Sequence, residues 1–352
     1  MIPGNEIADT ELEFFSTCSS RGLLDGPDYR RRIAQVAQWS ESAGFKGILI
    51  YTDNSQIDPW LVADIVLQHT KTLCPLIALQ PVYMHPFAAA KMISSIAYLH
   101  GRRVFLNLVA GGYRNDLMAL NDTTPHDRRY DRLVEYATII NLLLRAEGPV
   151  SFIGDFYTVE NLVLSPGCPK EKLPGVFISG SSKSGLASAA ALGATPIQYP
   201  KPVGEYLCAA QEGIGAGIRI GVISRANADE AWAAARTRFP PNRRGQLIRQ
   251  LATRTSDSVW HHQLSRLAGQ RGEHPYWLEP FENYSTMCPY LVGDYATVGR
   301  ELAGYLALGY RTFITDVPAN PEELAHIGRA FASAKEAHNR SALSDTAVDS
   351  IP

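Results

Sequence analysis

The run Ile178-Ser179-Gly180-Ser181-Ser182-Lys183-Ser184-Gly185 sets small hydroxylated residues where the apolar stretch Val176–Ile178 meets an alanine-rich segment. A strand handing over to a helix at such a point gathers free backbone N–H groups, hydroxyl donors and the positive end of the helix dipole. That combination holds an anion, a phosphate above all, without a cationic side chain. A plainer role for the same serines is to cap the helix and nothing more.

The elements that position this junction follow a regular rhythm. Strand-like runs occur at Leu12–Thr17, Gly47–Tyr51, Leu76–Leu79, Val104–Val109, Val176–Ile178, Pro196–Tyr199, Ile218–Ile223 and Thr312–Thr315. Helical stretches separate most of them. Asp28–Ala43 is one, with Tyr29, Ile33, Val36 and Ala37 at helical spacing. Near-continuously apolar strands alternating with helices are what a closed parallel sheet buried on both faces requires, so the predicted fold is an α/β TIM (β/α)8 barrel. An open doubly wound sheet would show an early glycine fingerprint, and Thr17-Cys18-Ser19-Ser20 has none.

The 352 residues read as a single barrel domain with polar tails at about 1–11 and 338–352 and insertions at about 150–165 and 227–290. Residues 152–159 suggest a hairpin. The longer insertion suggests helices at Ala231–Arg236 and Gly245–Leu267, then an irregular lid, His274–Pro289. His261 and His262 lie on that helical stretch and read as surface residues.

With 45% hydrophobic and 19% charged residues and a formal charge of −2, the chain has the composition of a soluble globular protein and no cluster of positive charge for nucleic acid. Its ligand is expected to be small. Cys18, Cys74, Cys168, Cys208 and Cys288 form no CxxC pair, so neither a disulfide frame nor a metal site is expected, and the thiols should be reduced and buried. The first residues show no secretory pattern and no run of about 18 apolar residues occurs, which points to the cytoplasm and away from a membrane.

The block Leu106-Asn107-Leu108-Val109-Ala110-Gly111-Gly112, with His126-Asp127-Arg128-Arg129-Tyr130-Asp131-Arg132 after it, resembles the bacterial luciferase-like flavin monooxygenases, most closely their alkanesulfonate branch. Further matching pieces are Ala43–Gly47, Asp58 and Trp60, Phe152-x-Gly154-x-x-Tyr157, Ser179–Ser182, Gly217–Arg219, Asp229–Trp232, Leu291–Asp294 and Tyr305–Gly309, in order over residues 12–335. The resemblance implies a homodimeric or homotetrameric TIM barrel. It would bind reduced FMN (FMNH2) from a separate NAD(P)H:flavin reductase and use it with O2 on a small-molecule substrate in specialised metabolism. It also implies that Ser179, Gly180, Ser181 and Ser182 receive the cofactor phosphate, with Arg129 and Tyr130 as further donors, and that Asp53, Gln80 and Asn107 surround the flavin ring. Tyr51, Asp53, Tyr83, His85 and Arg219 are candidates for chemistry beside that ring, and Gln56, Trp60, Tyr284 and Arg219 for substrate contact.

The sequence departs from the sulfonate branch at the substrate end. Ser55-Gln56-Ile57-Asp58-Pro59-Trp60 lacks that branch's cysteine. Arg219-Ile220-Gly221 lacks its histidine, Pro318 falls where its tyrosine is expected, and Ala110 replaces a threonine. An alkanesulfonate is therefore not the expected substrate. A dehydrogenase using deazaflavin F420 on the same barrel, and a flavin-binding homologue without turnover, are the competing expectations.

Overall fold

Eight short runs of branched and aromatic residues form the barrel, each buried on both faces as parallel strands must be. They are β1 (Glu13–Thr17), β2 (Gly47–Ile50), β3 (Cys74–Leu79), β4 (Phe105–Leu108), β5 (Gly175–Ser179), β6 (Thr195–Gln198), β7 (Gly217–Arg219) and β8 (Thr312–Ile314). Each pairs in parallel with its neighbours, and β8 pairs with β1 to close the ring. This computed structural model describes residues 12–20, 22–206, 215–255, 259–267 and 275–348. The expected tail at 1–11, Cys208 and His274 lie outside the described residues. Among the described residues no helix is long and apolar enough to cross a membrane.

The floor of the barrel is apolar. Phe15, Leu49, Leu76, Phe105, Phe177, Ile197 and Ile314 form one buried cluster, with the Phe15 ring 5.2 Å from both Phe105 and Phe177. Gly47 and Gly217 make room for it: a Cβ at Gly47 would stand 2.7 Å from the Phe15 ring.

Side chains alternate along a strand, so each inward position is followed two residues later by another. Above the apolar floor that step reaches Tyr51, Gln80, Asn107, Ser179, Tyr199, Arg219 and Asp316 at the C-terminal ends of the strands, the end where barrels of this type carry their sites.

Two excursions leave the ring. Val150–Ile153 and Thr158–Leu162 form the expected hairpin, tied down by Glu135, whose carboxylate accepts from the backbone N–H groups of Asp155, Phe156 and Tyr157. The second excursion is more ordered than its sequence suggested. Residues 218–223 are not one strand. The chain turns at Ile220, whose N–H goes to Ile314 of the barrel, while the N–H of Gly221 goes to Pro289. Gly221–Arg225 then starts a separate sheet, parallel to Tyr290–Asp294, which pairs antiparallel with Tyr276–Trp277. Glycine is required there because a Cβ would meet the Tyr290 ring at 2.4 Å. The single helix expected over 245–267 is two, Arg243–Thr255 and Val259–Leu267. Within the expected lid, Tyr276–Trp277 is a strand and Glu279–Glu282 a helical turn.

Phe281, Leu264, Ala231, Ala235 and Tyr290 give this excursion its own core. His261 belongs to it and is fully buried, a correction to the surface role expected of it. Both ring nitrogens lack hydrogen-bond partners among the described residues, and burial first, then His262 and Arg249, pushes its pKa down to about 4. The last helix, Pro321–Val348, runs through much of the expected C-terminal tail and packs Phe331 on Phe14 and Phe313. Cys18 and Cys288 are buried free thiols as expected, whereas Cys74 and Cys168 are only half-buried.

Candidate active site

At the end of β5 the chain runs through Gly180 and Ser181 to Ser182, which caps the helix Lys183–Leu192 by accepting from the N–H of Gly185 at 3.0 Å. The capping role is thus real, but it occupies Ser182 alone. Ser179 donates its hydroxyl to Asn107 Oδ1 at 2.9 Å, linking the ends of β5 and β4. The buried Ser181 hydroxyl has no hydrogen-bond partner among the described residues. A buried hydroxyl left unmatched costs about 1–3 kcal/mol, which a ligand oxygen would recover.

Tyr130, on the helix His126–Arg145, closes the seat from the other side. A Cβ on Gly180 would lie 2.6 Å from its hydroxyl, so only glycine leaves that space. Neighbouring Ser184 donates to Asp127 at 2.7 Å, which fixes the start of the helix. An orphaned hydroxyl, a phenol and the first N–H groups of a helix, facing a space kept clear by glycine, fit a phosphate. Arg129, expected as a further phosphate donor, also has a bracing role. It is buried, and its Nη1 donates to the Gly111 carbonyl at 2.7 Å, so it braces the loop after β4.

Across the mouth lies a second constellation. Buried Arg219, at the end of β7, faces Asp316 beyond β8 at 3.9 Å. Asp316 also accepts hydroxyl hydrogen bonds from Thr286 at 2.6 Å and Tyr290 at 2.7 Å. Burial alone would lower the Arg219 pKa, yet its polar neighbours, with the Asp316 carboxylate 3.9 Å away, outweigh it and keep the guanidinium charged. Burial raises the pKa of Tyr199 and of Tyr51, with Arg219 opposing in both cases. Burial pushes the Cys288 thiol up to about 12. These phenols and this thiol stay protonated at neutral pH, where they can donate hydrogen bonds but not accept a proton as bases.

The lid segment meets the loops after β2 and β4. Tyr284 lies beside Tyr113, whose hydroxyl reaches Met287 Sδ at 3.7 Å, and burial, with Asp53 nearby, raises both phenols. Tyr284 holds a left-handed φ of 55°, uncommon for a residue with a side chain. Asp53 accepts from the Ser55 N–H and hydroxyl at 2.7 and 2.6 Å. Tyr83 donates to Asn54 at 2.7 Å, and burial pushes its pKa up to about 12. Gln80 reaches the Thr52 carbonyl at 3.5 Å.

The structure therefore brings Tyr51 and Arg219 together, and Asp53, Tyr83 and Tyr284 together. Tyr199 links the two groups, because both Tyr113 and Arg219 lie close enough to interact with it. His85 stands apart, capping the helix Pro86–His100 through Nδ1 with its ring edge-on to Tyr157. Gln56 Nε2 turns to Ser55 at 3.2 Å. Trp60 is buried in the main core, its indole N–H without a partner among the described residues.

Asp316, Tyr199, Tyr113, Thr286 and Tyr290 were not among the sequence candidates. For Asp316 a signal existed: it directly follows the last apolar run, at the strand end where barrels of this type carry their sites. Thr286 and Tyr290 carried none, because only the second sheet brings them to the mouth.

The family model of the luciferase-like monooxygenases matches residues 12–312, and the chain belongs to that family. It is a monooxygenase. The 4-(γ-L-glutamylamino)butanoyl-[BtrI acyl-carrier protein] monooxygenase BtrO of Niallia circulans is 33% identical to it over 310 residues, covering 86% of this chain and 91% of the relative. Among solved structures, riboflavin lyase RcaE with modified FMN and riboflavin superposes with a TM-score of 0.69 at 16% identity, over 92% of each chain. An F420-dependent secondary alcohol dehydrogenase superposes with a TM-score of 0.62 at 16% identity, over 92% of this chain and 99% of its own. At that identity both share the fold.

Proposed function

We propose that the chain uses reduced FMN, delivered by a separate NAD(P)H:flavin reductase, to place one atom of O2 in an acyl substrate carried as a thioester, the other atom leaving as water. The single observation that carries the flavin is the seat around Ser181, whose buried hydroxyl lacks a partner among the described residues beside the space Gly180 keeps open. Ser181, Ser182, Tyr130 and the N–H groups of the turn would hold the phosphate, and Gln80 and Asn107 would border the ring. Reduced flavin supplies the two electrons that activate dioxygen. The chain's own contribution is to exclude water and orient the substrate, for which the protonated phenols Tyr51, Tyr113, Tyr199 and Tyr284 are suited.

The acyl substrate rests on the likeness to BtrO. The Arg219–Asp316 pair agrees with it, since an arginine already facing a carboxylate is a poor grip for a sulfonate. The protein, supplied with FMN, a flavin reductase, NADH and 18O2, should transfer 18O to the acyl thioester with oxygen uptake dependent on FMN. Hydride transfer with F420 and no oxygen uptake would favour the dehydrogenase. FMN binding without any turnover would favour a non-catalytic role.

A further inference from the structure

The helix Arg243–Thr255 carries Arg243, Arg244, Arg249 and Arg254 and no acidic residue. A helix on a globular protein normally turns its apolar stripe to the core. Here Leu247 is 56% exposed, Ile248 42% and Leu251 62%, and with exposed Arg244 they follow the 244, 247, 248, 251 spacing of one helix face. Arg249 points elsewhere, donating to Ser265 at 3.2 Å and lying over the Phe281 ring. The helix is held in place from below. A Cβ on Gly245 would fall 1.9 Å from the Asn283 carbonyl oxygen, and Gln246 donates to Asn283 Oδ1 at 2.9 Å. Asn283 directly precedes Tyr284, the lid residue that meets Tyr113 at the mouth. The outward stripe is therefore clamped to the lid of the active site.

Exposed leucine and isoleucine beside arginines, without a compensating acid on the helix, suit a protein partner of negative charge better than a small ligand or a second copy of the same basic face. We propose that this face docks an acidic carrier protein, which presents its thioester-bound acyl group to the mouth through the adjoining lid. The proposal rests on the acyl-thioester reading of the substrate.

The test uses the BtrI carrier protein loaded with the 4-(γ-L-glutamylamino)butanoyl group, and the same group as a pantetheine thioester. Binding of the loaded carrier is measured by calorimetry for the wild type, for Arg243→Glu/Arg244→Glu and for Leu247→Asp/Ile248→Asp, at low and high salt. The wild type should bind, more weakly as salt rises, and each double variant should lose about tenfold or more in affinity. FMN affinity, thermal midpoint and turnover of the pantetheine thioester should stay unchanged.

Variants that bind the carrier as tightly as the wild type would overturn the proposal. So would a wild type that oxidises the pantetheine thioester yet binds no carrier, or a Leu247→Asp/Ile248→Asp variant whose sedimenting mass falls, which would make the stripe a contact between copies. Oxidation of neither thioester would instead sink the acyl reading of the function, while the binding arm still decides the docking face.

Discussion

The phosphate seat and the Arg219 cluster lie on one barrel mouth and are built in different ways. The seat uses small groups from elements that are close in sequence or pack directly: Ser179 to Ser182 on one strand-to-helix turn, Tyr130 on a packed helix and Asn107 on the adjacent strand. Among the described residues its Ser181 hydroxyl has no partner. The Arg219 cluster draws on β7, on the turns after β6 and β8, and on the second sheet, and it is organised around charge: Asp316 Oδ2 takes two hydroxyls while Oδ1 faces the buried guanidinium at 3.9 Å. It too keeps a buried polar atom without a partner among the described residues, Arg219 Nε. A neutral hydroxyl on a helix start suits a phosphate, whereas a buried guanidinium set against a carboxylate is a charged wall whose shape can change with the substrate.

Asp316→Ala gives the largest expected effect. It leaves the Arg219 charge buried without its carboxylate and two hydroxyls without their acceptor, so denaturant unfolding should show a loss of about 3 kcal/mol or more. FMN affinity should hardly change. A fall in FMN affinity comparable to that of a seat variant would erase the distinction between the two regions.

Gly180→Ala acts on the seat. The new Cβ presses on the Tyr130 hydroxyl, and FMN affinity should fall by about 2 kcal/mol, roughly 30-fold, as read by flavin fluorescence. Adding Tyr130→Phe removes the clashing oxygen and should recover part of the loss. Unchanged binding in Gly180→Ala would show that the space does not receive the cofactor.

The barrel was legible because both faces of its strands are buried, which writes each strand as an apolar run, and because the ends of those runs mark the mouth. The seat was legible for a related reason: a helix start needs small polar residues, and they sit together as Ser179–Ser182. The excursion was not. Gly221–Arg225 continues the β7 run without a break in hydrophobicity, so nothing in the apolar pattern shows where the chain leaves one sheet for another. His261 read as exposed because Phe281, which helps to bury it, comes from a separate segment of the chain. Arg129 matched a family motif, yet a motif states only that a residue recurs, and one of its hydrogen bonds goes to the Gly111 carbonyl.

Ser181→Ala gives the smallest effect and isolates the cofactor phosphate. Its hydroxyl has no protein partner among the described residues, so the fold should keep its stability while the contribution of about 1 kcal/mol to an anion disappears. The deciding measurement is calorimetric titration of the wild type and Ser181→Ala with FMN and with riboflavin, which differ only in the phosphate. The expected result is FMN binding at least about tenfold tighter than riboflavin in the wild type, with that advantage narrowed in Ser181→Ala. Equal affinity for the two flavins in the wild type would contradict a phosphate seat at the end of β5.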